Sequence, residues 1–214
     1  MKIVAISDLH GVIDPVHRIL DLEQPDLLLC AGDWGTEEEV SPRDFDVVAD
    51  RVHFLTVYGN NDHLELLRQL KNKDGTNILL ENGRAVNYLG LTLAGINGIW
   101  AKSHKQPWYI TDEEVAAAAV NLKDKEVDIL ITHGCPIGMA DLTPSGGHGG
   151  QRCFTEAFKV VQPKLHLCGH LHRKSVYQTK DGKFLCNIGY TREGDYLLVR
   201  LNEGKLEFES RQVN

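Results

Sequence analysis

Short apolar runs alternate with helical patterns along this chain, and that alternation limits the architectures open to it. Runs rich in β-branched residues or leucine predict buried strands at residues 2–7, 26–30 and 52–58. Helices are predicted after them at residues 14–21, 42–50 and 62–71, the first with Asp14 as N-cap and Pro15 at the first helical position. Three repeats of strand, polar turn and helix indicate an α/β fold with a parallel sheet.

The rest of the chain adds a second set of strands. A hairpin is predicted at residues 85–88 and 91–96, and a long polar loop from Asn97 leads to a helix that starts at Thr111. A strand at 127–132, a glycine-rich loop at 144–150, a helix at 151–161 and a strand at 164–168 follow. The last strands, at 175–179, 184–188, 196–201 and 205–210, form antiparallel hairpins with turns at 180–182 and 202–204. We expect one domain over residues 1–214, with two sheets packed face to face and helices outside.

The composition is that of an ordinary globular chain. Its 214 residues are 42% hydrophobic and 25% charged, which is enough for one sizeable core. A net charge of −7 argues against stable binding to duplex nucleic acid or anionic membranes, and no apolar run approaches a membrane span. The amino-terminal run lacks the pattern of a secretory signal, and the five scattered cysteines include no CxxC pair. We therefore expect a cytoplasmic protein with reduced thiols.

Residue types that bind metals follow five of the predicted strands. They are Asp8, His10, Asp33, Asn60, His133, His170 and His172. Nitrogen and oxygen ligands without sulfur suit Mn, Fe, Zn, Ni or Co. Seven side chains are too many for one ion that keeps an open position, so the pattern indicates two ions that share a carboxylate. Taken singly, each residue is better explained as a turn residue, a strand-end histidine or a surface histidine, and only the joint pattern favours a metal site.

Five short motifs built on these residues resemble a known family. They are DxH (Asp8, His10), GD (Gly32, Asp33), GNxD (Gly59, Asn60, Asp62), TH (Thr132, His133) and GHxH (Gly169, His170, His172). In order and approximate spacing they resemble the calcineurin-like metallophosphoesterases, over essentially the whole chain. Segments 133–138, 149–150 and 162–166, with Asp141, look like the metallophosphoesterase-domain proteins described as class III cyclic-nucleotide phosphodiesterases. The resemblance implies a four-layer α/β/β/α sandwich of two mixed sheets flanked by helices.

The resemblance also implies how two ions would be held. One would be bound by Asp8, His10, Asp33 and His172. The other would be bound by Asp33, Asn60, His133 and His170, with Asp33 bridging. Two ions about 3.5–4 Å apart can lower the pKa of a bridging water and clamp the phosphate oxygens for in-line attack. The implied activity is metal-dependent phosphoester hydrolysis, with manganese as the expected metal and a small phosphodiester or cyclic nucleotide as the expected substrate.

One position departs from the family pattern. The third motif of the family usually reads Gly-Asn-His-Asp/Glu, and its histidine, oriented by the acid, is available to protonate the leaving oxygen. This chain has Asn61 there, followed by Asp62, and asparagine donates a hydrogen bond but delivers no proton. Diesters with good leaving groups are therefore expected to react better than alkyl monoesters. Alternatively, His63 or His148 supplies the proton, although the position of His63 favours a polar residue in the first turn of a helix over a catalytic one.

The glycine-rich loop and a second loop offer further candidates. His148 lies among glycines that let the backbone approach an anion, or else in a flexible surface loop. Arg152 is a candidate for phosphate binding, and Trp100, Trp108 and Tyr109 can stack on a base or anchor the polar loop. Two competing functions remain open, a phosphomonoesterase or protein phosphatase and a protein-binding scaffold with weak catalysis. The oligomeric state is not predicted.

Overall fold

A computed structural model describes residues 1–202 and 205–214 of the chain. In these residues the strands are β1 (Lys2–Ile6), β2 (Leu27–Cys30), β3 (Phe54–Thr56), β4 (Ala85–Tyr88), β5 (Leu91–Ile96), β6 (Ile99–Trp100), β7 (Tyr109–Ile110), β8 (Ile129–Thr132), β9 (Leu165–Cys168), β10 (Ser175–Gln178), β11 (Phe184–Asn187), β12 (Asp195–Asn202) and β13 (Lys205–Gln212). The α-helices are α1 (Asp14–Glu23), α2 (Pro42–Ala49), α3 (Leu64–Gln69), α4 (Asp112–Leu122) and α5 (Arg152–Val161). A 3₁₀ turn covers Thr191–Glu193.

The larger strands form two mixed sheets. The first has the order β13-β12-β1-β2-β3, with β1, β2 and β3 parallel and the pair β12–β13 antiparallel. The second has the order β10-β11-β9-β8-β5-β4, in which the central four strands are parallel and β4 and β10 are antiparallel edge strands. The parallel first half and the later antiparallel hairpins are therefore both confirmed.

The main core lies between the two sheets. Leu29 of the first sheet and Ile131 and Leu167 of the second belong to one fully buried cluster. Burial of each such side chain contributes about 1.5–3 kcal/mol, so this layer fixes how the sheets face each other. Helices α1 and α2 pack on the outer face of the first sheet, and α4 and α5 pack on the outer face of the second. The predicted four-layer sandwich of two mixed sheets is confirmed.

Three helix boundaries show how local chemistry decides where a helix begins and ends. At α4, Thr111 Oγ1 accepts from the Glu114 N–H at 3.4 Å, and Glu114 Oε2 accepts from the Thr111 N–H at 2.9 Å. The expectation that Asp14 is an N-cap is wrong by one residue, because Ile13 occupies that position and Asp14 begins α1. Helix α3 is shorter than predicted, since Leu70 is extended and ends it early.

The segment predicted as a long polar loop contains regular structure instead. Strands β6 and β7 pair in parallel as a separate two-stranded sheet. The Gly98 N–H donates to the Tyr58 carbonyl at 2.7 Å and ties this sheet to the end of β3. The predicted turn at residues 202–204 falls on Glu203 and Gly204, which lie outside the described residues. None of the described helices has both the length and the apolar character to cross a bilayer.

Candidate metal centre

The turns that follow five strands, β1, β2, β3, β8 and β9, bring the ligand candidates to one edge of the sandwich. Five of these residues leave their strands in left-handed backbone, with φ of +59° at Asp8, +46° at His10, +61° at Asp33, +68° at His170 and +53° at His172. This conformation costs a residue with a side chain about 1–2 kcal/mol, and it persists only where the surrounding structure enforces it. The fold therefore holds these turns in place and aims their side chains at a common volume.

Asp8, His10 and His172 form the first cluster. Their ligand atoms all lie within 4.8 Å of one another. The Nε2 atoms of His10 and His172 are 3.2 Å apart, and His172 Nε2 is also 3.2 Å from Asp8 Oδ1. The hydrogen bond to Asp8 raises the pKa of His172 above its ordinary value. Two imidazole nitrogens and a carboxylate oxygen at these spacings can serve one divalent ion.

A second cluster lies deeper in the molecule. His133 Nε2 is 3.4 Å from Asp33 Oδ2, and the rings of His133 and His170 have centroids 5.0 Å apart. Asn60 Oδ1 and His133 Nε2 are buried and have no hydrogen-bond partner. Buried polar atoms are normally paired, so two unpaired ligand atoms in one cluster fit a bound cation. The donor set of carboxylate, amide and imidazole suits a borderline divalent ion.

Asp33 lies between the two clusters. Its Oδ2 atom is 3.7 Å from His10 Nε2 and 3.4 Å from His133 Nε2. Burial raises the pKa of this carboxyl, but His133 and hydrogen bonds from Asn61 hold the pKa well below its usual value. Asp33 is therefore ionised and placed where one carboxylate can serve two ions.

The charge of Asp33 also sets the pKa values of its neighbours. Burial lowers the pKa of His133, but the adjacent Asp33 carboxylate raises it to about 10. Burial and the same charge raise the pKa of Asp62 to about 7. At His170, burial and the charge of His133 lower the pKa to about 4. Without metal, the cluster therefore keeps a proton on His133 at neutral pH while His170 is neutral.

Hydrogen bonds behind the clusters fix how the ligands point. His133 Nδ1–H donates to the Ala31 carbonyl at 2.7 Å, which directs Nε2 toward Asp33. The carboxylate of Asp62 accepts from the backbone N–H groups of Asp33, Trp34 and Gly59 at 2.7–2.8 Å. Asp62 therefore fastens the turn after β3 to the turn after β2, and its oxygens are engaged with backbone.

Two glycines of the motifs allow close contact with the ligands. A Cβ atom at Gly169 would overlap Ser7 Oγ and lie 2.6 Å from Asp8 Oδ2. A Cβ atom at Gly59 would overlap Asp33 Oδ1 and lie 2.5 Å from His133 Nε2. The absence of a side chain at these positions is thus required for the clusters to assemble.

The remaining catalytic candidates take different positions around the clusters. Asn61 hydrogen-bonds Asp33, and His63 precedes α3 with a buried Nδ1 atom that has no hydrogen-bond partner. His148 is 60% exposed and its Nδ1 lies 2.7 Å from Oδ1 of the buried Asp141. The Gly150 N–H also donates to Asp141, at 3.2 Å. This N–H group is therefore not free to bind an anion, as the glycine-rich loop had suggested.

One aromatic and one cationic candidate lie away from the two clusters. Trp100 and Arg152 line a groove between α4 and α5, where Trp100 Nε1–H donates to Asp112 Oδ1 at 2.9 Å. The structure therefore does not bring Arg152 to the clusters as a phosphate ligand. Trp108 and Tyr109, in contrast, line a cleft that Asn60 and Asn61 also line.

Tyr190 is a residue that the sequence analysis missed. Its ring stacks on His172 with centroids 4.2 Å apart and an interplanar angle of 10°, and it meets the edge of His10 at 5.9 Å. Tyr190 follows β11, whose carboxyl end lies at the same edge as the ligand turns. Tyrosine is not a common metal ligand, so its residue type gave no signal, whereas its position after a parallel strand was an available one.

Comparison with known proteins agrees with this geometry. The family model for the calcineurin-like phosphoesterase superfamily domain matches residues 1–196. The chain belongs to the calcineurin-like phosphoesterase superfamily. Human metallophosphoesterase domain-containing protein 1 is 28% identical over 203 residues, which are 80% of this chain and 60% of the relative. A UPF0046 protein of Caenorhabditis elegans is 26% identical over 221 residues, covering 94% of this chain and 73% of the relative.

A solved structure supports the same fold. The Thermus thermophilus protein TT1561 superposes with a TM-score of 0.71 at 18% identity, covering 97% of each chain. At this identity the likeness concerns the fold alone. The calcineurin-like superfamily assignment implies metal-dependent phosphoester hydrolysis, and the clusters around Asp8 and Asp33 are candidate ligand sets for its divalent ions.

Proposed function

We propose that this protein is a phosphodiesterase with a dinuclear metal centre. One observation carries the proposal: Asp33 Oδ2 lies 3.7 Å from His10 Nε2 of one cluster and 3.4 Å from His133 Nε2 of the other, and the deeper cluster contains two buried ligand atoms without a partner. Asp8, His10, Asp33 and His172 would hold one ion. Asp33, Asn60, His133 and His170 would hold the other. When bound, two such ions neutralise phosphate charge and activate water, with Mn our first expectation among Mn, Fe, Zn, Ni and Co.

The protein's own groups do the positioning. Ala31 and Asp62 fix the orientation of His133 and of the turn that carries Asp33. Ser7 Oγ–H donates to Asp8 Oδ2 at 2.5 Å, and the His170 N–H donates to the same oxygen at 2.9 Å. These bonds hold Asp8 in the buried part of the cluster, whereas the side chains of His10 and His172 stay partly exposed. A phosphate oxygen would therefore meet a preorganised set of ligands rather than mobile side chains.

The preference for diesters rests on Asn61. Its backbone N–H and its side-chain amide each donate a hydrogen bond to Asp33, and an amide delivers no proton to a leaving oxygen at neutral pH. Among the described residues, the ion pairs of Asp8 and Asp33 involve histidines and no lysine or arginine. A monoester carries nearly two negative charges at pH 7 and so needs more positive charge than a diester. The site therefore suits a singly charged diester with a good leaving group.

A metal-replete substrate screen tests this proposal. The purified protein, with its metals measured by elemental analysis, is assayed with aryl diesters, cyclic nucleotides and monoesters in the presence of Mn, Ni, Fe or Zn. We expect two ions per chain and faster hydrolysis of aryl diesters than of monoesters. A strong monoester preference would point to a phosphomonoesterase or protein phosphatase. No detectable hydrolysis of any of these esters with Mn, Ni, Fe or Zn would point to a protein-binding scaffold.

A further inference from the structure

A cleft of about 730 Å³ opens beside the candidate metal centre. Asn60 and Asn61 are among the residues that line it, and Asn61 donates hydrogen bonds to Asp33. The cleft is therefore continuous with the place where a phosphate group would lie. Cavities of this size accommodate a drug-sized ligand, so a phosphate alone would leave most of the cleft empty. The space is suited to one of the groups esterified to the phosphate.

One wall of the cleft is a fixed aromatic surface. Trp108 and Tyr109 lie edge to face, with ring centroids 6.3 Å apart. The segment that carries them is tied to the sheet edge, because the Ile99 N–H donates to the Trp108 carbonyl at 3.1 Å. Gly98 packs against the same carbonyl so closely that a Cβ atom there would overlap it. Both aromatic side chains are half-buried, so each keeps a surface available for contact.

The charged residues of the cleft indicate what kind of group it would take. Arg68, in the last turn of α3, lines the cleft, and a guanidinium stacks on planar rings. Glu37 and Glu65 also line it and would repel a second phosphate or an acidic peptide. Carboxylates accept hydrogen bonds from the amino groups of heteroaromatic rings. Aromatic and cationic surfaces together with two carboxylates favour an uncharged planar ring.

We propose that this cleft binds a planar aromatic substituent of the phosphoester, stacked on Trp108, and so determines which esters the enzyme selects. The inference deepens the proposed phosphodiesterase function, and it depends on that function for the position of the phosphate. Trp108 acts here as a specificity residue.

Calorimetric binding of two phosphonates tests the assignment without relying on turnover. Phenylphosphonate and methylphosphonate carry the same phosphonate group and differ only in one substituent. On the Mn-loaded protein we expect phenylphosphonate to bind about five- to a hundredfold more tightly, the range that stacking on an aromatic side chain provides. Trp108→Ala should remove most of this advantage, and Trp108→Phe should retain much of it. Trp100→Ala is the matched control, because Trp100 lines the separate groove.

The outcomes separate this inference from the proposed function. Equal binding of the two phosphonates to the wild-type protein would overturn the cleft assignment and leave the metal centre intact. An advantage that persists in Trp108→Ala would also overturn it. Failure of both phosphonates to bind the Mn-loaded protein would overturn the cleft and the phosphoesterase proposal together. If Trp108→Ala does not fold, quenching of Trp108 fluorescence by phenylphosphonate, absent in Trp108→Phe, provides the second measurement.

Discussion

Asn61 donates two hydrogen bonds to the carboxylate of Asp33, one from its backbone N–H and one from its side-chain amide, each at 2.8 Å. The residue at the position where the family usually has a histidine thus stabilises the charge of the carboxylate that lies between the two clusters. It lowers the pKa of Asp33 together with His133. The departure from the family motif has a structural role, and its chemical consequence can be measured.

Asn61→His is expected to restore a proton donor. A histidine titrates near pH 6.5, and general acid catalysis contributes about 10²–10⁴-fold where the leaving group needs it. We expect turnover of alkyl esters to rise by about tenfold or more relative to aryl diesters, measured as the ratio of kcat values. Asn61→Gln is the matched control, since it keeps an amide and adds no titratable group. Equal changes for both kinds of ester would contradict a role in proton delivery.

Metal binding is expected to release a proton from His133. With a pKa raised to about 10, this imidazole is protonated at neutral pH in the metal-free protein, and a bound ion requires its neutral form. The apparent affinity for Mn should therefore increase as the pH rises from 7 toward 9. Calorimetry in buffers of different ionisation enthalpy measures the proton release directly, and His133→Asn should lose it. An affinity that does not change between pH 7 and 9 would count against this assignment.

Tyr190→Ala is expected to weaken the ion held by Asp8, His10 and His172. The stack of Tyr190 on His172 restrains that ring, and such aromatic pairs are worth about 0.5–1.5 kcal/mol. We expect the apparent affinity of one ion to fall by roughly two- to tenfold, with little change at the other. Metal titration followed by elemental analysis measures both. Tyr190→Phe should behave like the wild-type protein, and Tyr177→Ala, at an exposed tyrosine of β10, controls for loss of an aromatic residue.

Gly169→Ala is expected to disrupt the contact between the turn after β9 and Asp8. The added methyl group would overlap Ser7 Oγ, and relief of such overpacking costs about 1–3 kcal/mol. In a chain of this size the melting temperature should fall by roughly 3–10 °C, with weaker metal binding. Gly147→Ala is the control, because the nearest atom to its Cβ would be 3.6 Å away. Equal melting temperatures for the two variants would contradict the contact.

His148→Ala is expected to lower turnover without loss of metal. Asp141 orients the imidazole through Nδ1 and leaves Nε2 free. The loss should be about tenfold or more for esters with poor leaving groups, which depend most on acid catalysis. His104→Ala, at another exposed histidine paired with a carboxylate, is the control. Unchanged turnover in His148→Ala would indicate that His148 is not the proton donor. His63→Ala would then test His63 in the same way.

The fold and the ligand candidates were accessible from sequence because their signals are local. Apolar runs mark β1, β2 and β8 wherever they pack, and the ligand residues follow these runs directly. The pairing of β6 with β7 was not accessible, because it depends on the contact of Gly98 with Tyr58, residues distant in the chain. The ends of most other strands shifted by one or two residues for the same reason, since the partner strand decides where pairing stops.

Histidine roles show the limit of sequence reasoning most clearly. His166 and His133 both lie at buried apolar runs, yet His166 Nε2 is 2.8 Å from Thr132 Oγ1 and burial lowers its pKa to about 3. His166 is thus a neutral core residue, whereas His133 faces Asp33. Sheet register decides whether a histidine points into the core or toward the ligand cluster, and register is a tertiary property. The contact of Tyr190 with His172 was not predictable for a related reason, because it joins two turns that are separate in the sequence.

The left-handed turns limit which substitutions this protein can accept during evolution at Asp8, His10, Asp33, His170 and His172. Glycine, asparagine, aspartate and histidine tolerate that conformation far better than β-branched residues do. A descendant that lost hydrolysis while keeping the sandwich would therefore be expected to retain residues of this narrow group at the five bends. Such residues at these turns in an inactive homologue would be explained by the left-handed backbone conformation. They would not by themselves be evidence of catalytic activity.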